Sequence, residues 1–320
     1  MKKPHNHILG VYFHNYLYRL KLILPFSGCP IHRKENYNPF FIVGSGRSGN
    51  TLLRRILHSH SRLFIPPEVQ ILSKVVDLFI RYRTMKWSNL VPLIYSKFQF
   101  YRNFYTFDIE SLNPLVDKVL RCDKSKRSLA YIINSFYQYY AEVHHLSNNR
   151  WGDKTPINTF CMLKLYMVFP DARFIHIIRD GCDVVDSYVK AGIYSDYKSA
   201  ALRWKRSIKV AQKFGRKFAE SYTEVRYEDL VRKPERVVKE LCVFLGIEFE
   251  PQMITSEDTA YTLGDVAQMK HLENVKKPIT TKNIGKGRRN LSEDAKNILE
   301  KIIGQELRNL GYKSYISNNM

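Results

Sequence analysis

Cysteine is scarce in this chain, acidic residues are outnumbered, and no long apolar run occurs. Each shortage narrows the field. The five cysteines (Cys29, Cys122, Cys161, Cys182, Cys242) lie far apart in a sequence of 320 residues. No pair has the close spacing of a zinc site or a redox motif, and their number is odd. They read as reduced thiols in a cytoplasmic protein. No apolar run reaches the roughly 18–20 residues of a membrane-spanning helix. The nearest, Ile8 to Phe26, is interrupted by His14, Asn15, Arg19 and Lys21. It follows Lys2 and Lys3 but is too broken for a signal peptide. An amphipathic leader, docked on the body of the protein or on a membrane surface, is expected instead. Internal repeats and low-complexity segments are also missing. With 30 Asp and Glu against 51 Lys and Arg, the net charge is +21. Such a field attracts nucleic acid, anionic membranes or small polyanions without choosing among them. Hydrophobic residues make up 44% of the chain, enough for a substantial core.

The most informative stretch is Phe40 to Leu57, FFIVGSGRSGNTLLRRIL. An apolar run (Phe40, Phe41, Ile42, Val43) reads as a buried strand. It breaks into Gly44, Ser45, Gly46, Arg47, Ser48 and Gly49, and a helical pattern starts at Asn50 and Thr51. Strand, glycine-rich turn and helix start make a phosphate cradle: backbone N–H groups turn inward and the helix dipole presents its positive end. The spacing nearly fits the nucleotide P-loop, in which glycine-lysine-threonine closes the turn. Here Asn50 stands at the lysine position and a basic residue comes three places earlier, at Arg47. That displacement argues against an ordinary ATPase or GTPase. A tight turn without a ligand would need five turn-forming residues to coincide.

Residues 1–38 are expected as a leader, 39–312 as one domain and 313–320 as a tail. The first helix should run to about His60. Leu63, Phe64 and Ile65 read as a short strand stopped by Pro66 and Pro67, leaving Glu68 at a sheet edge. The plain alternative for Glu68 is a helix N-terminal acid ahead of Val69 to Leu78. Residues 69–147 carry aromatics at helical spacing and predict a helical insertion or cap shaping the acceptor region. Arg150 to Pro156 reads as a loop entering a helix over Ile157 to Phe169, with Lys154 either functional or a surface charge paired to Asp153. Ala172 to Ile178 is apolar enough for a parallel sheet buried on both faces, and His176 within it reads as a core histidine. Arg179 then falls at a strand C-terminus, where open parallel sheets bind ligands. Ser187 lies about two helical turns further on and reaches the same anion. A long basic helix is expected over Ser195 to Ala219, a third strand over Thr223 to Tyr227, and a helix from Pro234 to Gly246. Residues 283–289, which include Lys286 and Arg288, are either a cover for a bound anion or an exposed linker. Ser292 should cap a last helix running to Leu310.

Taken together, GSGRSGNTLLRR, PPE, WGDKTP, RFIHIIRDGCDVVDSY and VRYEDLVRKPERVVKELCVFLGI resemble the sulfotransferases that use 3′-phosphoadenosine-5′-phosphosulfate (PAPS). The resemblance spans roughly residues 39–312, ends in Leu310, Gly311, Tyr312, and is nearer to the bacterial and protein-tyrosine branch than to the cytosolic small-molecule enzymes. It implies a three-layer α/β/α fold of the P-loop type, with a central parallel sheet and a helical insertion. It implies that Arg47, Ser48, Gly49, Asn50 and Thr51 hold the 5′-phosphosulfate, that Arg179 and Ser187 bind the 3′-phosphate, and that Tyr227 lies near the adenine. Glu68 matches the catalytic base of the tyrosine-sulfating branch, and Lys154 a lysine near the transferring group. Lys286 and Arg288 fall in a loop that lacks the cytosolic enzymes' motif. At Asn50 the family usually has Thr or Ser.

The chemistry agrees with this assignment. An in-line sulfuryl transfer needs charge neutralised at the bridging and sulfuryl oxygens, which Arg47, Lys154 and the loop amides supply. A sulfate ester carries less charge than a phosphate ester, so no metal is expected. Glu68 would take the proton of the acceptor hydroxyl, and the acceptor is a carbohydrate, a lipid, a peptide tyrosine or a small molecule. Two other functions compete: a P-loop kinase-like phosphotransferase, and a non-catalytic basic binder of nucleic acid or membrane surfaces. The enzyme reading implies no nucleic-acid partner. It leaves membrane contact through the leader and the oligomeric state open.

Overall fold

The apolar run ahead of the glycine-rich turn forms strand β1 (Phe40–Gly44), every residue of which is buried. A strand buried on both faces lies between two layers, and its side chains alternate between them. Phe41 and Val43 enter one apolar cluster, Phe40 and Ile42 another. A computed structural model describes residues 28–146, 150–255 and 278–315. Along them, β1 leads to α1 (Asn50–His58), β2 (Leu63–Phe64), α2 (Leu72–Tyr82), α3 (Trp87–Gln99), α4 (Asn113–Leu120), α5 (Leu129–Val143), β3 (Arg150–Lys154), α6 (Met162–Val168) and β4 (Arg173–Ile178). Then come α7 (Gly181–Lys190), α8 (Tyr197–Lys217), β5 (Tyr222–Arg226), α9 (Tyr227–Arg232), α10 (Pro234–Leu245), α11 (Gln252–Thr255), α12 (Lys286–Asn290) and α13 (Glu293–Asn309).

The described strands form one parallel sheet in the order β2–β3–β1–β4–β5. On one face α2 to α6, with Ala211 and Phe214 of α8, pack on Phe41, Val43, Phe64, Trp151 and Phe174. On the other, α1, α9 and α10 cover Phe40, Ile42, Ile175, Ile177 and Val225. A third cluster joins α7, α8 and α13 around Ile178, the last residue of β4. This is the three-layer α/β/α fold implied by the sequence, and the stretch read as a helical insertion supplies α2 to α5.

The structure differs from the sequence reading in several places. Arg150 to Lys154, expected as a loop, is strand β3, paired to β1 through Phe40 with Gly152 and Ile42 with Lys154. It has no apolar run to announce it, and it is held instead by ladder bonds on both sides. The helix expected over Ile157 to Phe169 begins as a 3₁₀ turn, Pro156–Cys161, and becomes α6 only at Met162. Side chains in that turn are tied to neighbouring elements: Asn158 donates to Asp153, and Thr159 accepts from the Gly44 N–H. The third strand stops one residue early, so Tyr227 opens α9 ahead of Glu228 and Asp229, acids that suit a helix N-terminus. Glu68 precedes α2, whose first turn holds no acid.

The Ser292 hydroxyl caps α13 by accepting from the Ala295 N–H at 3.3 Å. His176 is fully buried and lies 2.6 Å from the Tyr222 hydroxyl. Most of the expected leader, residues 1–27, lies outside the described residues, as do 316–320 of the tail. Cys29 donates its N–H to Arg83, and Leu129 and Ala130 donate theirs to Pro30 and Ile31. Among the described residues no helix is long and apolar enough to cross a membrane.

Gly152 shows how closely β1 and β3 are packed. A Cβ there would lie 2.3 Å from the Phe40 ring, which is itself completely buried. Gly152→Ala is expected to destabilise the fold by about 1–3 kcal/mol, the usual cost of overpacking a filled core, read as a lower denaturant midpoint. An unchanged midpoint would mean that the Phe40 ring can move aside.

Candidate functional site at the C-terminal edge of the sheet

Because all five described strands run parallel, their C-terminal ends come out along one edge, spaced by the inter-strand distance of about 4.8 Å. Read across the sheet, that edge carries Glu68 shortly after β2, Lys154 at the end of β3, the glycine-rich turn after β1, Arg179 after β4 and Tyr227 after β5. Residues scattered from Gly44 to Tyr227 in the sequence thus line up along one edge.

The turn is braced from several sides. The Thr159 hydroxyl accepts from the Gly44 N–H at 2.8 Å and lies 3.0 Å from the Gly44 carbonyl. The Asn50 amide donates to the Ser45 carbonyl at 2.7 Å, and the Ser45 and Tyr188 hydroxyls are 3.0 Å apart. Gly49 sits at φ 97°, with the Tyr227 ring 2.5 Å from where a Cβ would lie, so only glycine fits. Arg47 also adopts a left-handed conformation, φ 64°, which an L side chain takes up rarely. Its flanking bonds hold it there: its carbonyl accepts from Arg179 Nη1 at 3.3 Å, and its Nε donates to the Ser187 hydroxyl at 3.0 Å. Gly49 provides no side-chain cap for α1, so the first amides of that helix are open to a ligand. The Ser48 hydroxyl is buried without a partner among the described residues. Thr51 is half-buried on the first turn of α1.

Arg179 is gripped on several sides. Its guanidinium stacks 4.4 Å from the Tyr227 ring centre. Nη2 donates to the Asn283 carbonyl at 2.6 Å and to Asp183 at 3.3 Å, while Nε is buried with no partner among the described residues. Burial, and then the positive charge of Arg179, lower the pKa of Arg47. The two candidate anion-binding arginines and Ser187 therefore share one place.

On the other side of the turn, Lys154 Nζ lies 2.5 Å from Glu68 Oε1, the lysine almost entirely buried and the glutamate about a quarter exposed. Gln70 donates to the other Glu68 oxygen at 3.1 Å. The surface-charge alternative for Lys154 does not hold, because its partner is Glu68 rather than Asp153. Asp153 lies beneath, and burial pushes its carboxyl up to about 6 against hydrogen bonds from Tyr137, Asn158 and Thr155 that pull it down.

The basic segment after residue 280 is docked rather than free. The Asp183 carboxylate accepts the Gly285 and Gly287 N–H groups at 2.8 and 2.7 Å, seating α12 on α7. Lys286 is exposed at the start of α12. Arg288 pairs with Asp180 at 2.5 Å and donates to the Lys313 carbonyl, so it ties down the chain end. Glu228 of the YEDL run accepts the Asp180 N–H and the Tyr312 hydroxyl. Sequence reasoning missed Asp183, Tyr188 and Thr159; Asp183, four residues after Arg179, was the one with a readable signal, an i,i+4 ion pair.

Comparison with known proteins matches this layout. The sulfotransferase family model covers residues 39–251, from the residue before β1 to the residue before α11. Protein-tyrosine sulfotransferase 1 of Danio rerio is 24% identical over 281 residues, 85% of this chain and 71% of that protein. Protein-tyrosine sulfotransferase A of Caenorhabditis elegans is 22% identical over 251 residues, 73% of this chain and 58% of that one. Among solved structures, the sulfotransferase domain of the Synechococcus PCC 7002 olefin synthase has a TM-score of 0.54 at 26% identity, covering 83% of this chain and 95% of the domain. The sulfotransferase domain of the curacin biosynthetic pathway shares the fold at a TM-score of 0.54 and 22% identity, covering 90% of this chain and 100% of the domain. With the whole sheet and the glycine-rich turn inside the matched span, the chain belongs to the sulfotransferase family.

Proposed function

We propose that this chain moves a sulfuryl group from PAPS to a hydroxyl acceptor. The observation that carries the reading is the convergence of Arg47, Ser187 and Arg179 on one spot, one strand end away from the Glu68–Lys154 pair. The residues suit a doubly anionic nucleotide. Two guanidinium groups that repel one another, a buried Ser48 hydroxyl and a buried Arg179 Nε without partners all call for anionic oxygens.

In this reading the loop amides, Ser48 and Arg47 hold the 5′-phosphosulfate end, with Asn50 and Thr51 framing the start of α1. Arg179 and Ser187 hold the 3′-phosphate, and the Tyr227 ring lies on the adenine side. PAPS supplies the activated sulfuryl group. Glu68 takes the proton of the acceptor hydroxyl as that oxygen attacks sulfur in line. Lys154 neutralises the sulfuryl oxygens, and Arg47 with the loop amides takes up the charge left on the departing 5′-phosphate. Lys286, exposed at the start of α12, faces less constraint and is assigned to the nucleotide side. Arg288 contributes indirectly, by holding Asp180 and the chain end. The acceptor is a hydroxyl compound; the tyrosine-sulfating activity in the relatives' names makes a phenolic hydroxyl a fair first probe. A kinase-like reading is disfavoured because the Asn50 amide, at the P-loop lysine position, is spent on the Ser45 carbonyl.

Adenosine 3′,5′-bisphosphate is expected to raise the melting temperature, and Arg179→Ala to weaken that binding roughly ten- to a hundred-fold, the worth of a charge-assisted hydrogen bond or two. No thermal shift at millimolar ligand would overturn the nucleotide assignment. Glu68→Gln should leave bisphosphate binding unchanged while sulfuryl transfer from labelled PAPS falls by about 10²–10⁴-fold. Transfer at the normal rate by that variant would remove Glu68 from the chemistry.

A further inference from the structure

Beneath the Glu68–Lys154 pair runs a buried polar chain that the transfer chemistry leaves unused. Asp153 is fully buried in β3, in register with Phe41 of β1. Its Oδ2 accepts from the Tyr137 hydroxyl at 2.8 Å and from the Thr155 hydroxyl at 3.2 Å, and its Oδ1 accepts from the Asn158 amide at 2.8 Å. The Thr155 hydroxyl in turn accepts the Val69 backbone N–H at 3.0 Å. Thr155 and Val69 are themselves completely buried.

The direction of this chain is fixed by the inventory of donors. A hydroxyl has one proton to give, and a carboxylate only accepts. The Thr155 proton therefore points at Asp153, and a lone pair of the same oxygen is left facing Val69. Val69 is the residue after Glu68, and Lys154 lies between Asp153 and Thr155. One run of hydrogen bonds thus fixes both the backbone that carries the proton acceptor and the strand end that carries the lysine. Its far end is packed and hydrogen-bonded: the Tyr137 ring stacks on Trp151 at 3.9 Å, and the Trp151 indole donates to Asn134 of α5. At the backbone of Glu68 itself the Tyr101 hydroxyl donates to the carbonyl at the longer distance of 3.3 Å. Burying a carboxylate this deeply is costly and adds little to stability, which is the pattern of a group kept for placement.

We propose that Thr155, its hydroxyl oriented by Asp153, is a positioning residue that sets where Glu68 meets the acceptor hydroxyl. The proposal rests on the reading of Glu68 as proton acceptor. A displacement of about 1 Å at a reacting group can cost about a hundredfold in rate, so a single backbone tie next to that group is enough to matter.

The test compares Thr155→Val, which keeps the shape and removes the hydroxyl, with Thr155→Ser, which keeps the hydroxyl. Transfer from PAPS is measured with 2-naphthol as phenolic acceptor and, in its absence, with water, read as release of adenosine 3′,5′-bisphosphate. Thr155→Val is expected to lower kcat roughly ten- to a hundred-fold, with bisphosphate affinity unchanged, and Thr155→Ser to restore it. Hydrogen exchange of the Val69 amide supplies a readout independent of any acceptor. It should be slow in the unaltered chain, fast in Thr155→Val and slow again in Thr155→Ser. Rapid Val69 exchange in the unaltered chain would overturn the proposal by itself, whether or not the valine variant folds. So would normal turnover and exchange in Thr155→Val. The Glu68 reading fails separately: if Glu68→Gln transfers normally, the base is elsewhere, whatever Thr155 does. If Glu68→Gln is inactive and Thr155→Val is not impaired, only the positioning role is lost.

Discussion

Two guanidinium groups held side by side are the electrostatic constraint around which this molecule is arranged. Arg47 and Arg179 repel each other, and the fold compensates from every direction available. Arg179 is flanked by Asp183, by the Asn283 carbonyl and by the face of Tyr227. Arg47 is turned into a left-handed conformation and hydrogen-bonded through Ser187. The supporting residues come from α7, α9 and the segment ahead of α12, so three separate parts of the sequence converge to stabilise one concentration of positive charge. On the proposed reading, the two charged ends of the nucleotide would neutralise that concentration of charge.

Parallel strands make that convergence geometrically simple. Each strand end supplies one group, and the order β2–β3–β1–β4–β5 sorts them into a line, with the carboxylate and lysine at one side and the stacked arginine and tyrosine at the other. The central place of β1 puts the glycine-rich turn between the two sides. Sheet geometry sets the order and spacing of the strand ends, and the turns that follow them place Arg47 and Glu68.

Much of this was legible from residues, for definite reasons. β1 and β4 announce themselves as apolar runs because both faces are covered, and α10 and α13 carry unambiguous caps, Gly246 and Ser292. Arg47, Arg179 and Ser187 could be placed because their positions follow from a strand end and a helical repeat. β3 was not legible: Arg150, Gly152, Asp153 and Lys154 look like a loop, because the strand is stabilised by its two neighbours and its charged residues find partners on other elements. The role of Thr159 was hidden because its hydroxyl serves the Gly44 backbone 115 residues away. Arg288 reads differently once its partner is seen: a basic residue in a basic segment looks like an anion ligand, and in the structure its guanidinium is paired with Asp180.

The asparagine at the head of α1 leaves this cradle shaped before any ligand arrives. In a P-loop the corresponding lysine is a long side chain that reaches to the β- and γ-phosphates. Asn50 is short, buried and already bonded to Ser45, so the turn acquires its shape during folding and the ordering entropy is spent there rather than at the moment of binding. If the seat takes the nucleotide proposed above, its capture would be governed by encounter and orientation, with little left for the loop itself to rearrange.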